Sequence, residues 1–372
     1  MTVERETAGY AVPFAAGVLP GAYYGHNPYG YGIAGFMSLI LISVSLCIFV
    51  LASACRRRMS RPTTVMFIVM AAFSTGILCG ITASQTEVSY VKGSLSLWAE
   101  GFGLRMQTSI DRIPFRNPDC NAISKALITG EKSDIPKEIT ESFRQSGASH
   151  ILALSGLHLG IIYAIMIRIL SCLGNRPKTR IHKSLAIITI CGFYTLATGA
   201  GPSIVRAFLF ILLAESARLS HRHHSTGQLL FSALIIQLTI SPLSIRSVGF
   251  QLSYAAMAGI AFILPHLKSY WPGDIREDRA AVRAGRKIWH AAAMSVSCQI
   301  TTAPLAWYHF GTFPMHFLLT NLMAIPLTGI IIPAILVTLI LNCLEICPHV
   351  VVKTTEALIM TLTRALDIIS SM

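Results

Sequence analysis

The sequence predicts an all-α fold: a polytopic helical membrane protein with about 9–11 membrane segments, short or re-entrant ones included. Three observations predict it. Of 372 residues, 53% are hydrophobic and only 13% are charged, about half the charged share of a soluble globular chain. Mean hydropathy is +0.60. The apolar residues also come in blocks near the ~20 residues that span a bilayer, where backbone hydrogen bonds must be satisfied within helices. These observations exclude a soluble fold.

In chain order, the stretch 8–25 is apolar but interrupted by Pro13, Gly17, Pro20 and Gly21, which predicts a short or partly re-entrant segment. Spans are predicted over 33–54, 64–83, 149–173, 184–199, 202–219, 226–245, 248–267 and 289–310. The block 315–345 is long for one straight span and holds Asn321 and Pro326, so a broken or re-entrant helix is expected there. Residues 353–372 form a last span or an interfacial helix. This gives an N-terminal membrane region (1–83), an external region (84–148), a membrane domain (149–345) and a C-terminal segment (346–372).

The net charge of +13 is concentrated in the basic stretches 55–61, 176–183, 218–222 and 268–287. Alternation from a cytoplasmic 55–63 places 84–148 outside and 268–288 inside. Every loop assigned inside is then rich in Arg and Lys, so the excess reports orientation rather than a ligand. Within 84–148, Leu95, Trp98, Phe102, Met106, Ile110 and Ile113 recur at helical spacing and predict an interfacial amphipathic helix. A second helix is expected after Asp134 as N-cap, with Pro136 in its first turn and Gly147 as its stop. The nine cysteines are scattered without a CxxC, so no zinc site or disulfide framework is implied.

Polar residues inside apolar blocks carry the functional reading. Gly156 and Gly160 have the spacing of a helix-packing face. Ser155 back-bonds to its helix or lies on a pathway, and His158 is expected on a pathway because an ionisable group at membrane depth is costly. Arg206, one turn inside its span, either snorkels or is a fixed cation for phosphate oxygens, with Pro202 opening a helix N-terminus beside it. Glu215 faces the bundle interior or the cytoplasmic interface. Gln251, Gln299 and Asn321 make interhelical hydrogen bonds or join the same polar conduit. The run containing His221, His223 and His224 has no adjacent carboxylate and reads as a solvated loop, so no metal site is expected. No nucleotide-binding loop, dinucleotide fingerprint or HExxH is present, and no cofactor is implied.

The stretch ALITGEKSDIPKEITESFRQSGASHILALSGLHLGII (126–162) resembles the signature region of the ComEC competence proteins. GAGPSIVRAFLF (199–210), SPLSIRSVGFQLSYAAMAGI (241–260) and TTAPLAWYHFGTFPMHFLLTNLMAIPL (301–327) follow in the family's order. The resemblance implies a multi-pass channel in the bacterial plasma (inner) membrane that admits single-stranded DNA during natural transformation. The DNA-path candidates are then Ser155, His158, Arg206, Gln251, Gln299 and Asn321, with Phe250, Tyr254, Trp307 and Phe310 either as surfaces for bases or, as is expected of each taken singly, as lipid-facing or interfacial anchors. The OB-like domain of full-length members and their HxHxDH hydrolase motif are not found in this sequence. A non-enzymatic chain is therefore expected, working with single-stranded DNA, the lipid bilayer, a separate DNA receptor, a nuclease, and a cytoplasmic ATP-driven motor or single-strand-binding protein. Homo-oligomerisation is compatible with this. Two other classes stand beside it. ALSG (153–156) resembles the serine motif of rhomboid proteases, which would make the chain an intramembrane hydrolase, although His158 lies close to Ser155 on the same predicted helix. A small-solute transporter is the third, without the inverted repeats that would favour it.

Overall fold

The computed structural model describes residues 2–24, 35, 37–38, 40, 42, 61–85, 94–174, 177–221, 224–270, 280–311 and 316–371. The predicted span 33–54 is almost entirely outside the described residues, as are 55–60, His223 and 271–279. Among the described residues all regular structure is helical. The chain forms two compact units, residues 1–91 with 216–261 and residues 92–215 with 262–372.

The first unit holds α1 (Thr2–Tyr24), α2 (Arg61–Gln85), α10 (Thr226–Ile240), a 3₁₀ turn (Pro242–Arg246) and α11 (Val248–Ala258). Where a broken 8–25 segment is expected, α1 runs unbroken through Pro13 and Pro20. Its glycines are contact positions rather than breaks. A Cβ on Gly17 would meet the Phe73 carbonyl and one on Gly21 the Ile77 carbonyl. A Cβ on Gly76 would strike the Phe14 carbonyl, and one on Gly80 would lie 2.7 Å from the Ala22 amide nitrogen. Two GxxxG pairs therefore face each other backbone to backbone, which only residues without a Cβ permit. Phe250 and Tyr254 are buried in this unit, and Tyr254 Oη donates to Gln237 Oε1 at 2.9 Å. These two rings are core, rather than the lipid-facing anchors or base-contacting surfaces expected from sequence.

The second unit holds α3 (Ser94–Asp111), α4 (Pro118–Thr129), α5 (Lys137–Gln145), α6 (Ser149–Leu152), α7 (Gly156–Ser171), α8 (Pro177–Ala197), the main part of α9 (Pro202–Leu219), α12 (Leu264–Ser269), α13 (Ala280–Phe310), α14 (Phe317–Cys343) and α15 (His349–Ser370). A π-helical turn, Gly259–Ile263, joins α11 to α12. The core of this unit is built by α4, Phe143 and Ile151 against Ile331, Ile332 and Ile335 of α14 and Ile359, Leu362 and Leu366 of α15. In α3 the stripe divides. Ile110 enters this core, whereas Leu95, Trp98 and Phe102 are exposed, and Trp98 and Phe102 flank Phe193 with centroids 5.1 and 5.2 Å away. The small residues Ala99 and Gly103 are the buried ones, Gly103 against the Ala197 carbonyl.

Several boundaries differ from expectation for identifiable reasons. The predicted span 149–173 is interrupted, because Ala153 and Ser155 take extended backbone and Ser155 caps a new helix. Within the block 315–345, Phe317–Cys343 is one continuous helix through Pro326 and Pro333, since breaking it among apolar neighbours would strand backbone groups. Residues 280–288 of the predicted basic loop are already helical, so Arg283, Arg286 and Lys287 stand on α13. Asp134 does not cap α5, which starts at Lys137 after Pro136. Its carboxylate is drawn instead to the ammonium of Lys125, which Asp111 also binds at 2.8 Å. Burial opposes that charge, but hydrogen bonds to Asp111 and Asp134 outweigh it and hold the amine above the usual lysine value. The periodicity does not announce α4, which is buried on nearly every face, although Asn117 caps it, Pro118 opens it and Gly130 at φ 81° closes it. Val65–Gln85, Val248–Ser269 and Phe317–Cys343 are long and apolar enough to cross a membrane, while α7 and α10 are apolar but shorter.

Candidate functional site

The first turn of α7 gathers three of the predicted residues. Ser155, with φ −122° and ψ 172°, is the N-cap, and its Oγ accepts from the Leu157 amide at 3.3 Å. Serine is favoured at that place because its hydroxyl satisfies a donor that the helix leaves open. His158 closes the cap from the other side. Its Nδ1 accepts the Ser155 backbone N–H at 3.3 Å and lies 3.1 Å from Ser155 Oγ. Starting the helix only at Gly156 leaves the Ser155 backbone N–H without an intrahelical acceptor, and the His158 ring takes that place. The imidazole is 0% exposed, and its Nε2 is buried without a hydrogen-bond partner.

Arg206 reaches the same turn from α9 and is 7% exposed. A Cβ on Gly156 would lie 2.9 Å from Arg206 Nη2 and 3.4 Å from the Ala207 side chain, so the absent side chain makes room for the guanidinium. Nothing lies within 4 Å of a Cβ built on Gly160. The expected packing face therefore narrows to Gly156, and its neighbour is a cation as well as a helix. Apolar packing of Leu159 with Ile187, Cys191, Ile204 and Ile211 fixes α7, α8 and α9 around this turn. Deeper between the same helices, Glu215 is 0% exposed and accepts from Tyr163 Oη at 2.7 Å and Ser184 Oγ at 2.5 Å. It faces the bundle interior. Tyr163 and Ser184 were not singled out by sequence. The signal was available in principle, since a carboxylate inside an apolar helix requires donors at its own depth.

The remaining candidates stand on other elements. Gln251 belongs to the first unit and donates from Nε2 to the Ile245 carbonyl at 2.9 Å, tying α11 to the 3₁₀ turn. Gln299 is half-buried on α13, and Asn321 sits near the start of α14 with its Oδ1 buried and unpartnered. Trp307 and Phe310, at the end of α13, are 64% and 59% exposed. Among the described residues, no three His, Cys, Asp or Glu side chains come together as a set able to hold a metal ion. The α7 turn brings together a buried cation, a helix N-terminus and an unfilled N–H donor, all of which favour a negatively charged oxygen.

Residues 127–372 match the family model described as competence protein, and that range contains the whole α7 turn with α9, α13 and α14. The chain belongs to the competence protein family. That family domain is not an enzyme domain, and together with the long apolar helices it marks a membrane protein. ComE operon protein 3 of Bacillus subtilis (strain 168) is 28% identical over 211 residues, 56% of this chain and 25% of that protein. The uncharacterized protein YcaI of Escherichia coli (strain K12) is 27% identical over 269 residues, 70% of this chain and 34% of that protein. Competence protein ComA of Neisseria gonorrhoeae is 26% identical over 212 residues, 55% of this chain and 28% of that protein. The competence chain thus spans a quarter to a third of each of these relatives. No solved structure matches it.

Proposed function

We propose that this competence-family protein is a multi-pass channel of the bacterial inner membrane, passing single-stranded DNA during natural transformation. The observation that carries the reading is the buried guanidinium of Arg206 against the first turn of α7, inside the range that the competence family model covers. A strand in transit presents one phosphate per nucleotide, and a fixed cation with helix amides is a suitable partner for each in turn. The channel does no chemistry of its own. A separate receptor delivers the DNA, a separate nuclease removes the other strand, and a cytoplasmic motor or single-strand-binding protein pulls.

Disrupting the gene in a transformable host should abolish transformation while labelled DNA still reaches the cell surface. Arg206→Leu should do the same while the protein accumulates normally in the membrane. Normal transformation after the disruption would end the reading. A second reading, an intramembrane hydrolase, is favoured by the 3.1 Å separation of Ser155 Oγ and His158 Nδ1. Ser155→Ala decides between them, because a nucleophile tolerates no loss of its hydroxyl, whereas a channel loses only a helix cap worth about 1 kcal/mol.

A further inference from the structure

We propose that the first turn of α7 is a phosphodiester site, in which Arg206 and the Nε2–H of His158 hold the non-bridging oxygens of one phosphate; this deepens the channel reading and rests on it. The argument begins with the proton on His158. Nδ1 accepts the Ser155 backbone N–H, so the neutral ring carries its hydrogen on Nε2. That N–H is buried, and no group of the chain accepts it. An orphaned buried donor costs about 1–3 kcal/mol, which an acceptor from outside the chain would relieve. The ring is pinned to the N-cap through Nδ1, so the orphan stays at the first turn of the helix.

The second independent observation is the guanidinium. Arg206 Nη2 lies 2.9 Å from where a Cβ of Gly156 would be, against the first residue of the 16-residue helix α7. The positive end of a helix does not attract a cation, so this juxtaposition concentrates positive potential in a buried place. Glu215 is nine positions further along α9, roughly 13 Å by helical rise, and is turned to Tyr163 and Ser184. A phosphodiester fits this donor set. It carries a single charge on two oxygens, which a guanidinium engages bidentately, and helix N-termini take phosphate readily. The phosphodiester can come from a nucleic-acid strand or from a lipid headgroup.

The test uses the full chain in a phosphate-free maltoside detergent, with fluorescein-labelled oligothymidylate followed by anisotropy at fixed ionic strength. Arg206→Gln should weaken binding about tenfold or more, the loss expected for a charge-assisted contact. His158→Phe should weaken it several-fold. Gly156→Ala keeps every donor but displaces the guanidinium, so it too should weaken binding, with an unchanged melting temperature as the check on folding. A methylphosphonate oligothymidylate, uncharged along its backbone, should not bind. Parent-like affinity in all three variants would overturn the proposal, even if Arg206→Leu abolishes DNA uptake in cells and the channel reading stands. Loss of oligothymidylate binding with normal uptake would support the site and remove the channel reading. Phosphatidylglycerol that displaces the oligonucleotide from the parent would assign the phosphate to lipid, and failure to displace it would assign it to the strand.

Discussion

Gly17 and Gly21 in one unit, and Gly156 and Gly160 in the other, share the same four-residue spacing but meet different neighbours. The first pair presses on the main chain of α2, whose own Gly76 and Gly80 return the contact. In the second pair, Gly156 yields its space to a guanidinium and Gly160 borders nothing within 4 Å. One arrangement is a seam between backbones and the other is room kept for a charged side chain. The lesson is that a small-residue spacing states only that bulk is excluded; the facing residue decides what the exclusion is for.

The largest effect should come from closing the seam. Gly80→Val would drive a side chain into the backbone around Val18 and Ala22, and no rotamer change can relieve a main-chain clash. A loss of about 3 kcal/mol or more is expected, the upper part of the overpacking range, read as a lower melting temperature and poor accumulation in membranes. An unchanged melting temperature would break the comparison at its root. Next comes the polar bundle. Glu215→Leu strands the hydroxyls of Tyr163 and Ser184 and should cost about 2–4 kcal/mol, with Tyr163→Phe near 1 kcal/mol. Thermal unfolding of the purified variants measures both, and a Glu215→Leu protein as stable as the parent would show that the buried polar groups are dispensable. Gly160→Ala should be neutral or stabilising by up to ~1 kcal/mol through helix propensity; a clear destabilisation would return Gly160 to a packing role.

The smallest effect concerns carboxylates at the surface, the counterpart of buried Glu215. Hydrogen bonds from Arg144, then Gln145, pull Glu141 down to about 2, and the hydrogen bond from Lys125 holds Asp134 below the usual aspartate value. Because both folded values are depressed, their stabilisation is present above about pH 4.5 and fades as the pH falls toward 2. Hydrogen exchange of 117–147 should therefore rise slightly across that window in the parent, and less in Glu141→Gln. An equal response in both would detach Glu141 from acid sensitivity.

Much of the all-helical character was legible because apolar block length and charge depletion are properties of the chain itself. The α7 turn was legible in its parts, Ser155, His158 and Arg206, but not in its assembly. A helix restart at Ser155 needs three residues of non-helical backbone that periodicity does not register, and the Arg206 contact joins positions 50 residues apart in sequence. Pro and Gly misled in the other direction. Pro13, Pro20 and Pro326 read as breaks by local propensity, yet they sit inside unbroken helices, where surrounding apolar packing leaves no solvent to take up freed backbone groups. Helix α4 carried cap and stop signals at Asn117 and Gly130, hidden inside a segment whose average composition looks external.

One hydrogen bond also sets a schedule for making the protein. The backbone amide of Asn117 donates to Glu356 Oε1 at 2.9 Å, across 239 residues of sequence. Helix α4 packs in the same core as α14 and α15, so the earliest part of that core is completed by the latest. At roughly 5–20 residues per second, a nascent chain waits on the order of 10–50 s between synthesis of Asn117 and arrival of its acceptor. During that interval the apolar faces of α4 have no α15 to cover them. The region between the first membrane segments and α7 is thus a natural client for whatever holds unfinished membrane proteins, and its maturation is timed by the ribosome's progress to the far end of the chain.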